Sequence, residues 1–159
     1  MKVHLLCVGA VKGPLRSTIE EYEARLGRYW RFEVTEVVAG MGKGRKVEEG
    51  KVREIEEGRL LGGLPKGGGE VVALTRDGRP FGSRALAGFL SDRALRSVQD
   101  VTFVIGGAFG LGPEVLKRAT MKLSLSPMTL PHEIARLVLA EQLYRAGTIQ
   151  RNEPYHKGP

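Results

Sequence analysis

Short apolar runs alternate with longer charged stretches along this chain. Short apolar runs of this length are typical of strands buried on both faces, and they predict strands over Lys2–Gly9, Val71–Leu74, Val101–Ile105 and Lys122–Leu125, of which Val101–Ile105 is β-branched and uncharged. Phe32–Val38 alternates polar and apolar residues, as a half-exposed strand does. The stretches between the strands predict helices over Pro14–Tyr29, Val47–Leu61, Ser83–Val98, Pro113–Thr120 and Pro131–Gly147.

Local signals mark several predicted element ends. Asp77-Gly78 is a turn sequence that should stop the third strand. Ser83 is a residue type that caps helix N-termini. The tail Thr148–Pro159 is rich in Pro, Gly and polar residues, and we expect no regular structure there.

Strands that alternate with helices predict an α/β fold, with a mostly parallel sheet flanked by helices on both faces. The length of 159 residues fits a single domain over residues 1–159. Parallel sheets of this kind bind ligands beyond the carboxyl ends of their strands. A functional site is therefore expected at those ends.

Three predicted strand ends carry candidate ligand loops: Leu74–Arg76, Gly106–Gly112 and Ser126–Pro131. Glycine lets a ligand approach the backbone closely, so Gly106–Gly112 is either a cofactor cradle or a tight structural turn. Ser126–Pro131 is either a cradle for an adenine or ribose, or a loop that starts the last helix. The glycine spacing matches neither GxGxxG nor a P-loop. The single cysteine, Cys7, excludes an internal disulfide and a cysteine-based zinc site, and we expect no metal.

The last predicted helix carries a carboxylate on an apolar stripe. Glu141 shares that stripe with Ile134, Leu137, Val138 and Tyr144. A carboxylate there needs a partner, and Arg145 is placed to supply it, either as a structural ion pair or as a pair that orients active-site groups. The helix is apolar around most of its girth, which indicates burial on more than one side and a subunit interface.

The net charge of +7 favours a polyanionic partner such as RNA or DNA. The tail adds a stacking ring in Tyr155, a titratable nitrogen in His156 and a cation in Lys157, a set that suits an unstacked nucleotide. No stretch has the length of a membrane span, and the first strand lacks the cleavage site of a signal peptide. We therefore expect a cytoplasmic protein with no membrane partner.

Five segments occur in one order over essentially the whole chain: VGAVK near the start, VIGGAFGL, LSLSPMTLPH, AEQLYRA and the terminal NEPYHK. In these segments the chain resembles the ribosomal large-subunit methyltransferase H family, of the SPOUT class of knotted methyltransferases. The resemblance implies a C-terminal trefoil knot over about residues 70–159, a rare exception among chain topologies. It also implies a homodimer that holds S-adenosylmethionine (SAM) in the knot.

Carried over position by position, the resemblance implies cofactor contacts from Leu74, Gly106, Gly107, Leu125, Ser126, Pro127, Met128, Thr129, Leu130 and Pro131. It implies catalytic roles for Glu141, Arg145, Tyr155, His156 and Lys157. Lys157 stands where some relatives have arginine.

The implied reaction is methylation of N3 of a pseudouridine in 23S rRNA, on assembled ribosomes. We expect His156, or a water held near it, to accept the N3 proton while Tyr155 and Arg145 position the base. The tail of one subunit should meet the cofactor loops of the other.

The sequence leaves open the role of one basic stretch and two alternative functions. Lys43, Arg45 and Lys46, in the glycine-rich stretch GMGKGRK, are either rRNA phosphate contacts or part of a solvated loop. A SPOUT methyltransferase acting on another RNA such as tRNA is one alternative function. A non-catalytic RNA-binding α/β protein is another.

Overall fold

Parallel strands form one sheet in the computed structural model, which describes residues 1–40 and 48–158. Within that part the strands are β1 (Lys2–Val8), β2 (Arg31–Val37), β3 (Glu70–Pro80), β4 (Asp100–Ile105) and β5 (Met121–Ser124), in the order β2-β1-β4-β3-β5. The helices are α1 (Arg16–Leu26), α2 (Glu49–Gly63), α3 (Ser83–Leu95), α4 (Pro113–Arg118) and α5 (His132–Gln150). Lys43, Arg45 and Lys46 lie outside the described residues.

Helices cover both faces of the sheet. Helices α1, α3 and α5 pack on one face around Phe103, and α2 and α4 pack on the other around Val104. Both side chains are fully buried, and each such burial contributes roughly 1.5–3 kcal/mol. The predicted α/β class with a parallel sheet and helices on both faces is confirmed. Strand order and register do not define how the chain threads, so the trefoil knot stays a prediction.

Strand β3 continues through the sequence that was expected to end it. After Leu74 its pairing with β5 shifts register, and Arg79 pairs with Leu123 again. A Cβ atom on Gly78 would lie 2.7 Å from the carbonyl carbon of Leu123. Glycine in a strand can mark such a close backbone approach, and here it permits a bulge instead of a turn. The predicted end of β3 at Asp77-Gly78 is therefore wrong.

Two other expected ends differ from the structure. The N-cap of α3 is Gly82, because the Ser83 hydroxyl instead donates a hydrogen bond to Gln142 Oε1 at 2.7 Å. Helix α5 extends to Gln150, and the tail then packs irregularly against the body. Tyr29 holds it by donating to Glu153 Oε2 at 2.5 Å.

The most deeply buried face of α5 is not the predicted stripe. Ala135, Leu139 and Leu143 face the sheet, whereas Ile134 and Leu137 are half-buried and Val138 is 36% exposed. The helix is apolar on most of its sides, as predicted, but the face that packs against the sheet is the one with the smaller residues.

Gly147 on α5 is expected to tolerate no side chain. A Cβ atom there would lie 2.7 Å from Tyr29 Cδ2, and Glu153 holds that ring in place. Overpacking of this kind typically costs about 1–3 kcal/mol, so Gly147→Ala should lower the free energy of unfolding by that amount in urea denaturation. Gly58→Ala is the matched control, because α2 leaves open space at Gly58 and alanine should stabilise it by up to about 1 kcal/mol. An equal effect of both variants would contradict the packing argument.

Candidate functional site

The three predicted ligand segments lie on adjacent strands of the sheet. Gly106–Gly112 follows β4 and Ser126–Pro131 follows β5, whereas Leu74–Arg76 is not at a strand end as expected but lies within β3, where its pairing with β5 shifts register. Arg76 joins the last two, since its Nη1 donates to Thr129 Oγ1 at 3.1 Å and its carbonyl oxygen accepts from Ser124 Oγ at 3.0 Å. The structure therefore brings the three loops to one edge of the sheet.

This edge combines an apolar floor with exposed loop residues. Leu74, Leu125 and Leu130 are half-buried and pack against the core. Between the two loop leucines, Met128 is 73% exposed, and its N–H donates to Ser126 Oγ at 3.0 Å. Apolar surface beside backbone polar groups fits an adenosyl group.

The glycines after β4 are required by the protein's own packing. A Cβ atom on Gly106 would lie 2.9 Å from the carbonyl carbon of Gly110, and one on Gly107 would lie 2.6 Å from Glu56 Oε2. Gly110 N–H also donates to Gly107 O at 3.1 Å, which closes a turn. These contacts support the structural interpretation of the turn. The cofactor role of Gly106 and Gly107 stays a prediction.

A fourth strand end lies at this edge and was not among the predicted ligand loops. Gly9 follows β1, and its Cβ position is 3.0 Å from His132 Nε2 at the start of α5. That nitrogen is buried and has no hydrogen-bond partner within residues 1–40 and 48–158. Lys12 N–H also donates to Glu133 Oε1 at 3.2 Å. The VGAVK segment was the sequence signal that could have placed this loop beside α5.

The predicted catalytic residues form a second cluster, which we call the tail cluster: Glu141, Arg145, Tyr155 and His156. Arg145 Nε donates to Glu141 Oε1 at 3.1 Å, and Tyr155 OH donates to the same oxygen at 3.0 Å. The Arg145 guanidinium also lies 4.8 Å from the centre of the Tyr155 ring. Lys157 is exposed next to the cluster. The predicted partnership of Glu141 with Arg145 is confirmed.

Protonation states in the tail cluster follow from burial and hydrogen bonding. Burial raises the pKa of Tyr155, and its hydrogen bonds to Tyr22 and Glu141 raise the pKa further. The hydrogen bond to Glu141 also raises the pKa of Arg145. At neutral pH, Tyr155 is therefore a phenol and Arg145 a cation.

Arg145 also fixes the orientation of the His156 proton. Its Nη1 lies 3.3 Å from His156 Nδ1. Because a guanidinium can only donate, Nδ1 must accept, and a neutral imidazole then carries its proton on Nε2. In the described part of the chain Nε2 is buried and has no partner. The ring thus presents a donor for an incoming group.

The tail cluster is distant from the cofactor loops along α5. Arg145 comes 13 residues after His132, which adjoins the Ser126–Pro131 loop. At the helical rise, this corresponds to about 20 Å along the axis.

A family model described as "Predicted SPOUT methyltransferase" matches residues 1–156. The chain belongs to the SPOUT methyltransferase family. This SPOUT methyltransferase is 48% identical over 158 residues to a Gemmatimonas aurantiaca protein named "Ribosomal RNA large subunit methyltransferase H", with 99% of this chain and 100% of the relative covered. A protein of the same name from Syntrophotalea carbinolica is 46% identical over 157 residues, with 98% and 99% covered.

Solved structures share the fold of this SPOUT methyltransferase. A methylase family protein from Haemophilus influenzae aligns with a TM-score of 0.52 at 12% identity, covering 98% of this chain and 70% of that one. One from Neisseria gonorrhoeae aligns with a TM-score of 0.52 at 14% identity, covering 99% and 86%.

Within residues 1–40 and 48–158, no helix is both long enough and apolar enough to cross a membrane. No three His, Cys, Asp or Glu side chains there are grouped as metal ligands would be.

Proposed function

We propose that this protein methylates N3 of a pseudouridine in 23S rRNA, on assembled ribosomes in the cytoplasm, with SAM as methyl donor. The observation that carries the proposal is the identity of 48% over essentially the whole chain to a relative named for large-subunit rRNA methylation. The net charge of +7 supports a polyanionic substrate. Residues 1–159 act as one domain, with the knotted region over about 70–159.

The loops at the carboxyl edge of the sheet would hold SAM. Leu74, Leu125 and Leu130 offer apolar contacts, and the backbone of the other predicted cofactor residues offers polar ones: Gly106, Gly107, Ser126, Pro127, Met128, Thr129 and Pro131. When bound, SAM supplies a methyl group on a sulfonium centre. The protein's contribution is to orient the acceptor base in line with that methyl group and to help N3 lose its proton.

The tail cluster would bind the acceptor base. A uracil-type base has a carbonyl oxygen on each side of N3. The Nε2–H of His156, which has no partner in the described part of the chain, would donate to one of these oxygens or to a water. The bond from Arg145 to Nδ1 supports the water as proton acceptor rather than the imidazole itself. Tyr155 and Arg145 position the base, and exposed Lys157 contacts a phosphate.

We propose that the active site is shared between two subunits. Within one chain the tail cluster and the cofactor loops are about 20 Å apart along α5, too far for one base to reach both. The half-buried Ile134 and Leu137 and the exposed Val138 provide an apolar face on α5 for a second copy. A homodimer that joins the tail of one subunit to the loops of the other would complete the site.

Transfer of labelled methyl from SAM to ribosomes that lack the modification tests the proposal. Free 23S rRNA and tRNA serve as parallel substrates. Label at a pseudouridine N3 of large-subunit rRNA, with a preference for ribosomes, is the expected result. Label only on tRNA would favour the alternative SPOUT reaction, and SAM-independent RNA binding without label would favour a non-catalytic protein.

His156→Ala is expected to lower kcat about 100-fold at saturating ribosomes and SAM, the lower end of what acid–base groups contribute. The dependence on pH separates the two roles. If His156 only donates a hydrogen bond, the factor by which the variant lowers kcat stays constant with pH. If His156 is the base, that factor becomes smaller at alkaline pH, because N3 then ionises without help. Full activity of the variant would contradict both roles. Asn152→Gly, an exposed change in the same tail at a residue whose φ of 53° glycine adopts without strain, is the control.

A further inference from the structure

Glu56 on α2 is a buried carboxylate beside the glycine turn. The residue is 2% exposed. Its Oε1 accepts one hydrogen bond, from Gly40 N–H at 3.1 Å, and its Oε2 has no partner among the described residues. Burying a carboxylate with so little compensation is costly, so a cationic ligand group would relieve the cost.

The carboxylate is directed at a predicted cofactor residue. Both its oxygens lie within 2.8 Å of the position that a Cβ atom on Gly107 would occupy. Only the absence of a side chain at Gly107 allows this approach. Gly107 is the second residue after β4, so the carboxylate lies against the turn at the end of that strand.

The neighbouring Glu57 provides a contrast. Its Oε2 accepts from Glu114 N–H at 2.7 Å and from Val115 N–H at 3.3 Å, so it satisfies the start of α4. Both carboxylates contact the same glycine turn, Glu56 at Gly107 and Glu57 at Gly112. Of the two, only Glu56 has a buried oxygen without a hydrogen-bond partner among the described residues.

We propose that Glu56 is a positioning residue that favours SAM over the product S-adenosylhomocysteine. The inference rests on the proposed function. SAM carries a sulfonium charge that the product lacks, so a buried carboxylate across Gly107 attracts the substrate form selectively. Coulombic attraction over several ångströms in a partly buried site is large enough for a selectivity on the order of tenfold. Product would then leave more readily after each methyl transfer.

Isothermal titration calorimetry of both ligands against the full-length protein tests the inference. Glu56→Gln should weaken SAM binding about tenfold and change S-adenosylhomocysteine binding less than about twofold. Glu57→Gln, the matched control, should leave the ratio of the two affinities unchanged. Glu56→Asp keeps the charge in a shorter side chain and should retain more of the preference than the isosteric glutamine.

The outcomes separate this inference from the proposed function. If Glu56→Gln weakens the binding of SAM and of S-adenosylhomocysteine equally, or weakens neither, the ratio of the two affinities is unchanged. Glu56 would then be a structural brace for Gly40, and the inference alone would be overturned. If the wild-type protein binds neither ligand, the proposed function itself fails. Thermal unfolding of each variant shows whether it is folded. If Glu56→Gln is not folded, Glu56→Asp shows whether the preference for SAM depends on the charge or on the shape of the side chain.

Discussion

Arg145→Ala is expected to lower kcat/KM for ribosome methylation about 10³-fold, or ~4 kcal/mol of transition-state stabilisation. Arg145 is the centre of the tail cluster, because it binds Glu141, stacks on Tyr155 and donates to His156. Its loss releases two base-positioning groups at once, so the effect should exceed that of His156→Ala. Initial rates of methyl transfer measure it.

Arg151→Ala is the matched control for this variant. Arg151 also stacks on a tyrosine, at 4.8 Å from the Tyr29 ring centre, and donates to Arg28 O, but it lies outside the tail cluster. The control should retain nearly full activity. Similar losses of activity in both variants would mean that any arginine that anchors the tail has the same effect. That result would contradict a specific role for Arg145.

The shared active site adds a complementation test. A chain with Thr129→Trp, a bulky change in the exposed cofactor loop, should lose SAM binding but keep its tail cluster. Mixed with Arg145→Ala chains, it should form heterodimers with one complete site, which restores roughly a quarter of wild-type activity after random exchange. No recovery, with exchange confirmed by mass spectrometry, would show that each chain completes its own site.

Local sequence was sufficient for the strands and for the place of two of the three predicted ligand loops. The apolar runs of β1 and β4 were predicted as strands, and parallel pairing brings their carboxyl ends to one edge. The bulge in β3 was missed because Asp77-Gly78 is a turn sequence locally. Only pairing with β5, which is distant in the chain, makes the close approach at Gly78 favourable.

The face of α5 that is buried could not be predicted for a similar reason. Two apolar faces compete on this helix, and the less hydrophobic one, with Ala135, is buried. That face also includes Arg136, which sequence rules place at the surface. Its partners come from α1 and β2, more than 90 residues earlier in the chain. Contacts over such separations leave no local signal.

Arg136→Met is expected to destabilise the fold by roughly 3 kcal/mol, the lower end for a buried ion pair, because it strands Glu23, which is 13% exposed, whereas Glu36 is 38% exposed and keeps access to water. Arg136 is 5% exposed and donates to Glu23 Oε1 and to Glu36 Oε1, both at 2.6 Å. Burial disfavours its charged form, but these hydrogen bonds raise the pKa of Arg136 overall. Burial also raises the pKa of Cys7 to about 11, so the thiol beside the guanidinium supplies no charge that could replace either carboxylate.

Chemical denaturation of matched variants distinguishes stranded charge from lost packing as the cause. Adding Glu23→Gln and Glu36→Gln to Arg136→Met removes the unpaired carboxylates, so the triple variant should recover most of the lost stability. Arg16→Ala breaks an exposed pair with Glu20, 65% and 58% exposed, and should leave the denaturation midpoint nearly unchanged because water screens such a pair. A triple variant as unstable as Arg136→Met would show that the guanidinium acts mainly through packing. Arg136 lies one turn after His132, at the start of α5. That outcome would therefore mean that the packing of Arg136, and not its charge, holds the start of α5 beside the predicted ligand loops.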